Sequence, residues 1–117
     1  MNMKPPNSEP VEVSWKVENP AVTIPVGSIF YFNFHRHGSV GEDATFEIVD
    51  EDIVEHMKTD VHYKHPERMK PGWTGGDAEL GKWYFKAIKQ GNAKIVVQEL
   101  FRFEVEDPYV VDVTVTE

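Results

Sequence analysis

The stretch KWYFKAIKQGNAKIVVQEL, residues 82–100, decides the fold. Its first part alternates, with Trp83, Phe85 and Ala87 pointing inward from a strand over Lys82 to Ile88. Gln90-Gly91-Asn92 then breaks the pattern as a tight turn, where glycine supplies positive φ. Apolar character resumes over Ala93 to Val105, which predicts a long strand with a bulge near Glu99.

The same period recurs on both sides. Downstream, Asp107-Pro108 turns the chain, and Val111, Val113 and Val115 alternate with Asp112 and Thr114 over Tyr109 to Thr116. Upstream, Phe30, Phe32 and Phe34 share one face of a strand over Ser28 to Phe34, and Phe46 and Ile48 keep register over Ala44 to Val49. Val11, Val13, Trp15 and Val17 alternate with Glu12, Ser14 and Lys16, predicting another half-buried strand that Asn19-Pro20 ends. Ala21 to Val26 is a short extended piece, and Pro25 places it at a sheet edge, where a missing N–H costs nothing. After Asp50, Glu51 and Asp52, the segment Ile53 to Lys58 fits a helical turn or a short strand equally well. Asp60 to Asp77, with Pro66, Pro71, Gly72, Gly75 and Gly76, reads mostly as loop.

Composition agrees. There are 16 Val, 6 Ile and 7 Phe against 2 Leu and 5 Ala, which favours pleated surfaces over helices. The expectation is an all-β, immunoglobulin-like β-sandwich of seven to eight strands. At 117 residues the chain is one domain, residues 11–117, preceded by a Pro-rich flexible arm over residues 1–10. Twelve basic and 20 acidic residues give a net charge of -8, which argues against nucleic acid and anionic membrane partners. There is no cysteine, hence no disulfide frame, thiolate metal site or thiol nucleophile. Met1 to Pro10 lacks the apolar run of a secretion signal. The expected location is therefore cytoplasmic, or outside the cell after removal of a leader.

Further signals lie in the framework. Val22-Thr-Ile-Pro-Val-Gly27, a seven-residue strand, a seven-residue loop ending in Gly41 and another strand come first. Gly72-Trp-Thr-Gly75-Gly76, the aromatic strand Trp83-Tyr-Phe-Lys-Ala87, Gly91, Ile95-Val-Val97, an Arg-aromatic pair and a Val-rich last strand follow. Over roughly residues 20–116 this order resembles the chagasin-like inhibitors of papain-type cysteine proteases. The resemblance implies an Ig-like sandwich with three loops at one end forming a wedge for the protease cleft. The family's first loop is Asn-Pro-Thr-Thr-Gly. Here the matching place is His37, Gly38, Ser39, Val40 and Gly41, which keeps the last Gly, with Ser39 in place of a Thr. Gly72, Trp73, Thr74, Gly75 and Gly76 fit the Gly-rich second loop. The third is Arg-Pro-aromatic, where Arg102 and Phe103 stand without the proline. Such an inhibitor works without a catalytic group or cofactor. Gly-rich loops bring backbone close to a groove, and a rigid sandwich limits the entropy lost on binding. Trp73, Arg102 and Phe103 are the expected anchors.

Other constellations carry less chemistry. His56, His62, His65 and Met69 are the candidate ligands for a Cys-free copper or zinc site, although spacing within a loop says little. Glu47, Asp50, Glu51, Asp52 and Glu55 lack the glycine of a calcium loop and read as a solvated face. Ser39 beside His37 has no nucleophile-elbow context, so no enzymatic activity is expected. The leading expectation is a monomeric, reversible, non-covalent inhibitor of a papain-like cysteine protease. An Ig-like binding or adhesion module without inhibitory activity, and a His/Met metal-binding sandwich, remain as alternatives. Open sheet edges leave pairing with a second copy possible.

Overall fold

Alternating apolar residues give the core strands one inward face, and two such sheets close on each other. The computed structural model describes residues 9–37, 42–63, 78–102 and 104–117. In these the strands are β1 (Val11–Glu12), β2 (Ala21–Pro25), β3 (Ile29–Arg36), β4 (Glu42–Ile48) and β5 (Val54–Tyr63). They continue as β6 (Glu79–Ala87), β7 (Gly91–Phe101), β8 (Glu104–Val105) and β9 (Tyr109–Thr116). β1 and β8 are two-residue pieces, which leaves seven full strands. One sheet runs β1-β3-β6-β5, the other β2-β9-β7-β4, with β8 paired to β7. The fold is an all-β, Ig-like sandwich, and no helix occurs among the described residues.

Both sheets feed one core. Phe30, Phe32 and Phe34 of β3 face inward with Trp83, Phe85 and Ala87 of β6. The second sheet supplies Ala93, Ile95 and Val97 of β7 and Val111, Val113 and Val115 of β9. Phe30 stacks on Phe85 with ring centres 5.3 Å apart, and Phe34 on Trp83 at 4.1 Å. Phe46 of β4 meets Trp83 at 5.0 Å and the edge of Phe85 at 5.1 Å, joining the sheets. Each large buried side chain contributes about 1.5–3 kcal/mol, so these rings set how the sheets sit on one another.

Glycine shapes two passages between the sheets. Gly27, with φ 92°, follows β2 in a turn where the Ser28 N–H donates to the Pro25 carbonyl at 3.2 Å. A type II turn needs positive φ at that third position. Gly91 has φ 148°, and a Cβ there would lie 2.7 Å from Ile53 Cδ1.

Several sequence-based expectations change. Val13 and Trp15 are buried as the alternation predicts, but Val11 and Val17 are exposed, and the strand stops at Glu12. The Trp15 indole N–H donates to the Asn33 carbonyl at 2.6 Å, taking an acceptor that a longer ladder would use. Ile53 lies in a turn, and Val54 begins a ten-residue strand, which decides between the two readings of Ile53 to Lys58 in favour of a strand and extends it through Asp60 to Tyr63, residues expected to be loop. The turn expected at Gln90-Gly91-Asn92 has its glycine at positive φ and carries the chain from one sheet to the other, because β6 and β7 belong to different sheets. Ala93 to Val105 is not one bulged strand. β4 pairs with β7 without interruption from Glu42–Phe101 to Ile48–Ile95, and the chain then folds back at Arg102 into β8. β2 is an edge strand, as Pro25 implies. The first eight residues of the expected arm lie outside the described residues.

Candidate functional site

Strand register brings three connections to one end of the sandwich. β3 and β6 are antiparallel, and Arg36 pairs with Glu79, so the end of β3 meets the start of β6. Tyr63, the end of β5, pairs with the same Glu79. Beyond β3, His37 and Glu42 exchange both backbone hydrogen bonds, at 3.0 and 3.1 Å, and this ties the end of β3 to the start of β4. Glu42 in turn pairs with Phe101, the end of β7. The flanks of segments 38–41, 64–77 and 102–103 therefore converge, although the strands that form these flanks come from both sheets.

Side chains brace these flanks. Arg36 NH2 lies 3.2 Å from Glu79 Oε2, and Arg36 NH1 lies 4.0 Å from Asp43 Oδ1. One guanidinium thus links β6 of one sheet to β4 of the other at the base of two loops. His35 Nδ1 is 3.4 Å from Glu42 Oε2. The Lys16 ammonium donates to Glu99 at 2.8 Å, and this bond holds the Lys16 pKa above its ordinary value. The end carries an excess of acid, with Glu104 and Glu106 also exposed beside Glu42, Asp43 and Glu79.

The third connection is a tight hairpin. Leu100 pairs with Val105 and Phe101 with Glu104, and Arg102 lies in the turn between them. Arg102 has φ 52°, the positive value that both favoured two-residue hairpin turns require at their first position. Its guanidinium sits 5.2 Å from the Phe101 ring centre, and both side chains are exposed. Arg102 is therefore presented at a tip, not carried as an ordinary residue inside a strand.

Of the expected loop residues, His37 and Arg102 are described and lie at this end. Gly38, Ser39, Val40 and Gly41 lie outside the described residues, as do Gly72, Trp73, Thr74, Gly75, Gly76 and Phe103. Of the candidate metal ligands, the two described ones, His56 and His62, are separated. His56 pairs with Phe85 on the inward side, with its ring 5.0 Å from Phe46 and Nε2 2.9 Å from Thr59 Oγ1. His62 pairs with Leu80 on the outer side, six residues and about 20 Å along the strand. His65 and Met69 lie outside the described residues. Among the described residues, no three His, Cys, Asp or Glu side chains gather as a metal site requires. Arg36 and Glu79 were not marked by the sequence. Their one signal is charge placed at the ends of aromatic strands.

No protein-family model matches the chain, and no curated protein matches it in sequence. Its fold is shared with solved structures. The cysteine protease inhibitor EhICP2 of Entamoeba histolytica aligns at TM-score 0.70 with 13% identity, over 92% of this chain and 96% of that one. Amebosin aligns at TM-score 0.59 with 18% identity, over 93% of this chain and 100% of that one. PbICP-C, solved in complex with falcipain-2, aligns at TM-score 0.52 with 13% identity, over 99% and 96%. At these identities the likeness is one of fold.

Proposed function

We propose that this protein is a reversible, non-covalent inhibitor of papain-like cysteine proteases that binds through this loop end. The observation that carries the reading is the convergence of the flanks of segments 38–41, 64–77 and 102–103 at one braced edge. Paired strands and the Arg36 clamp fix the described flanks of the loops, and fixed flanks lower the ordering cost of docking. Two of the solved relatives in fold point the same way, one being a cysteine protease inhibitor and another solved with falcipain-2.

In this reading Trp73 and Arg102 are anchors, and Gly38, Gly41, Gly72, Gly75 and Gly76 let the backbone enter the cleft beside Ser39, Val40 and Thr74. Phe103 completes the third contact. No residue reacts, and no cofactor takes part. Trp73→Ala and Val40→Asp test the assignment, with Thr23→Ala on β2 as a control away from the loop end. Truncating an anchor weakens inhibition about 30-fold or more, the effect of losing roughly 2 kcal/mol at a hot spot. Equal inhibition by all three variants refutes binding through this end, and an absence of inhibition by the parent protein leaves a binding module.

A further inference from the structure

We propose that β5 is the pairing edge of a symmetric dimer. It is the longest edge strand among the described residues, ten residues paired on one side only, and Glu55 to Asp60 are exposed throughout. The other edges are poorer. β1 has two residues, β2 ends in Pro25, and β4 carries Glu42, Asp43 and Glu47 without a cation. β5 alone carries a balanced pair, Lys58 and Asp60. Both stand on the outer side, opposite Tyr84 and Lys82 of β6, with Lys58 Nζ 3.4 Å from Asp60 Oδ2.

The charges select one register. A two-fold axis perpendicular to the sheet keeps outer faces together, so paired residue numbers must have an even sum. Centring on Thr59 sets Lys58 opposite Asp60 of the second copy, twice. Moving one step either way sets Lys58 against Lys58 or Asp60 against Asp60, which is unfavourable for directly opposed side chains. The irregularity between His56 and Lys58 leaves Met57 without a partner in β6 and limits regular pairing to about residues 58–60. A joint this short falls below the roughly 1,600 Å² of a standard interface, so the dimer is reversible and favoured by high concentration. Because the strands run antiparallel, the two loop ends point to opposite poles. Both stay open, so on the inhibitor reading the dimer holds two proteases.

Sedimentation velocity on the full chain, from about 10 micromolar to 1 millimolar, reads the dimer directly and needs no protease. The parent protein is expected to shift from monomer to dimer with concentration. Asp60→Lys and Lys58→Asp each oppose like charges and stay monomeric alone, while their equimolar mixture pairs opposite charges and dimerises. The exchange variant K58D/D60K keeps the charge pair within each chain and serves as a second test, dimerising like the parent. A parent that stays monomeric at every concentration overturns the proposal. So does a mixture that behaves like its separate components, or single variants that dimerise as the parent does.

Discussion

Gly81 sits under the Phe34 ring, and giving it a side chain tests how the loop end is held. Gly81 is buried in β6, opposite Phe34 of β3 and Val61 of β5. A Cβ at this position would lie 2.2, 2.4 and 2.7 Å from three ring carbons of Phe34. Carbon atoms in contact prefer about 3.5–4.0 Å, so the ring would have to move by more than an ångström. It is poorly placed to do so, being 4% exposed and stacked 4.1 Å from Trp83. Overpacking of this kind costs about 1–3 kcal/mol, and replacing glycine by alanine in a strand returns roughly 0.5–1 kcal/mol. Gly81→Ala therefore destabilises by about 1–2 kcal/mol, or about 3–10 °C in Tm for a domain of this size. Urea and thermal unfolding measure the loss, and Phe34→Leu supplies the control. In that background the obstruction is gone, and the same glycine change becomes nearly neutral, a coupling of about 1–2 kcal/mol. A neutral or stabilising Gly81→Ala in the parent refutes the packing argument, as does an equal cost with and without the Phe34 ring.

Two further predictions concern the charged braces. Arg36→Met leaves Glu79 and Asp43 without their shared cation at the base of two loops. Stability falls by about 1 kcal/mol or less, whereas protease inhibition weakens about 3- to 10-fold through lost preorganisation. Unchanged inhibition in a titration of the variant contradicts the bracing role. The Lys16–Glu99 bond raises the Lys16 pKa in the folded state. Its stabilising contribution is therefore complete below the unfolded lysine value of about 10.4 and lost as pH rises through the higher folded value. The urea midpoints of the parent and Lys16→Met should differ by a small constant amount at neutral pH and converge at strongly alkaline pH. Divergence on raising the pH contradicts the sign.

The core strands were legible because one physical pattern determines them. Phe30, Phe32 and Phe34, and Trp83, Phe85 and Ala87, each repeat every second residue on a strand with one buried face. β5 was only half legible, as one of two readings of Ile53 to Lys58, because nearly all its residues are exposed and no alternation marks it, and pairing with β6 makes it a strand to Tyr63. The hairpin at Arg102 was hidden for another reason. Phe101-Arg102-Phe103 contains no Gly, Pro, Asn or Asp, and a left-handed arginine is set by the ladders on either side of it. At Trp15 the alternation was right and the strand was wrong, because the indole took the carbonyl that a continuing ladder needs. The candidate end followed the same rule. The family resemblance named candidate loop residues, but the Arg36–Glu79 tie joins residues 43 positions apart and depends on the register of two strands.

The central claim is that this sandwich end occupies a cysteine protease cleft. The direct measurement is an active-site titration of papain and of one cathepsin-type protease with this protein, following residual activity. At about 10 nM enzyme, activity is expected to fall in proportion to added protein for at least one of the two and to reach its floor near one molecule per active site. Full activity of both enzymes at a micromolar excess contradicts the account.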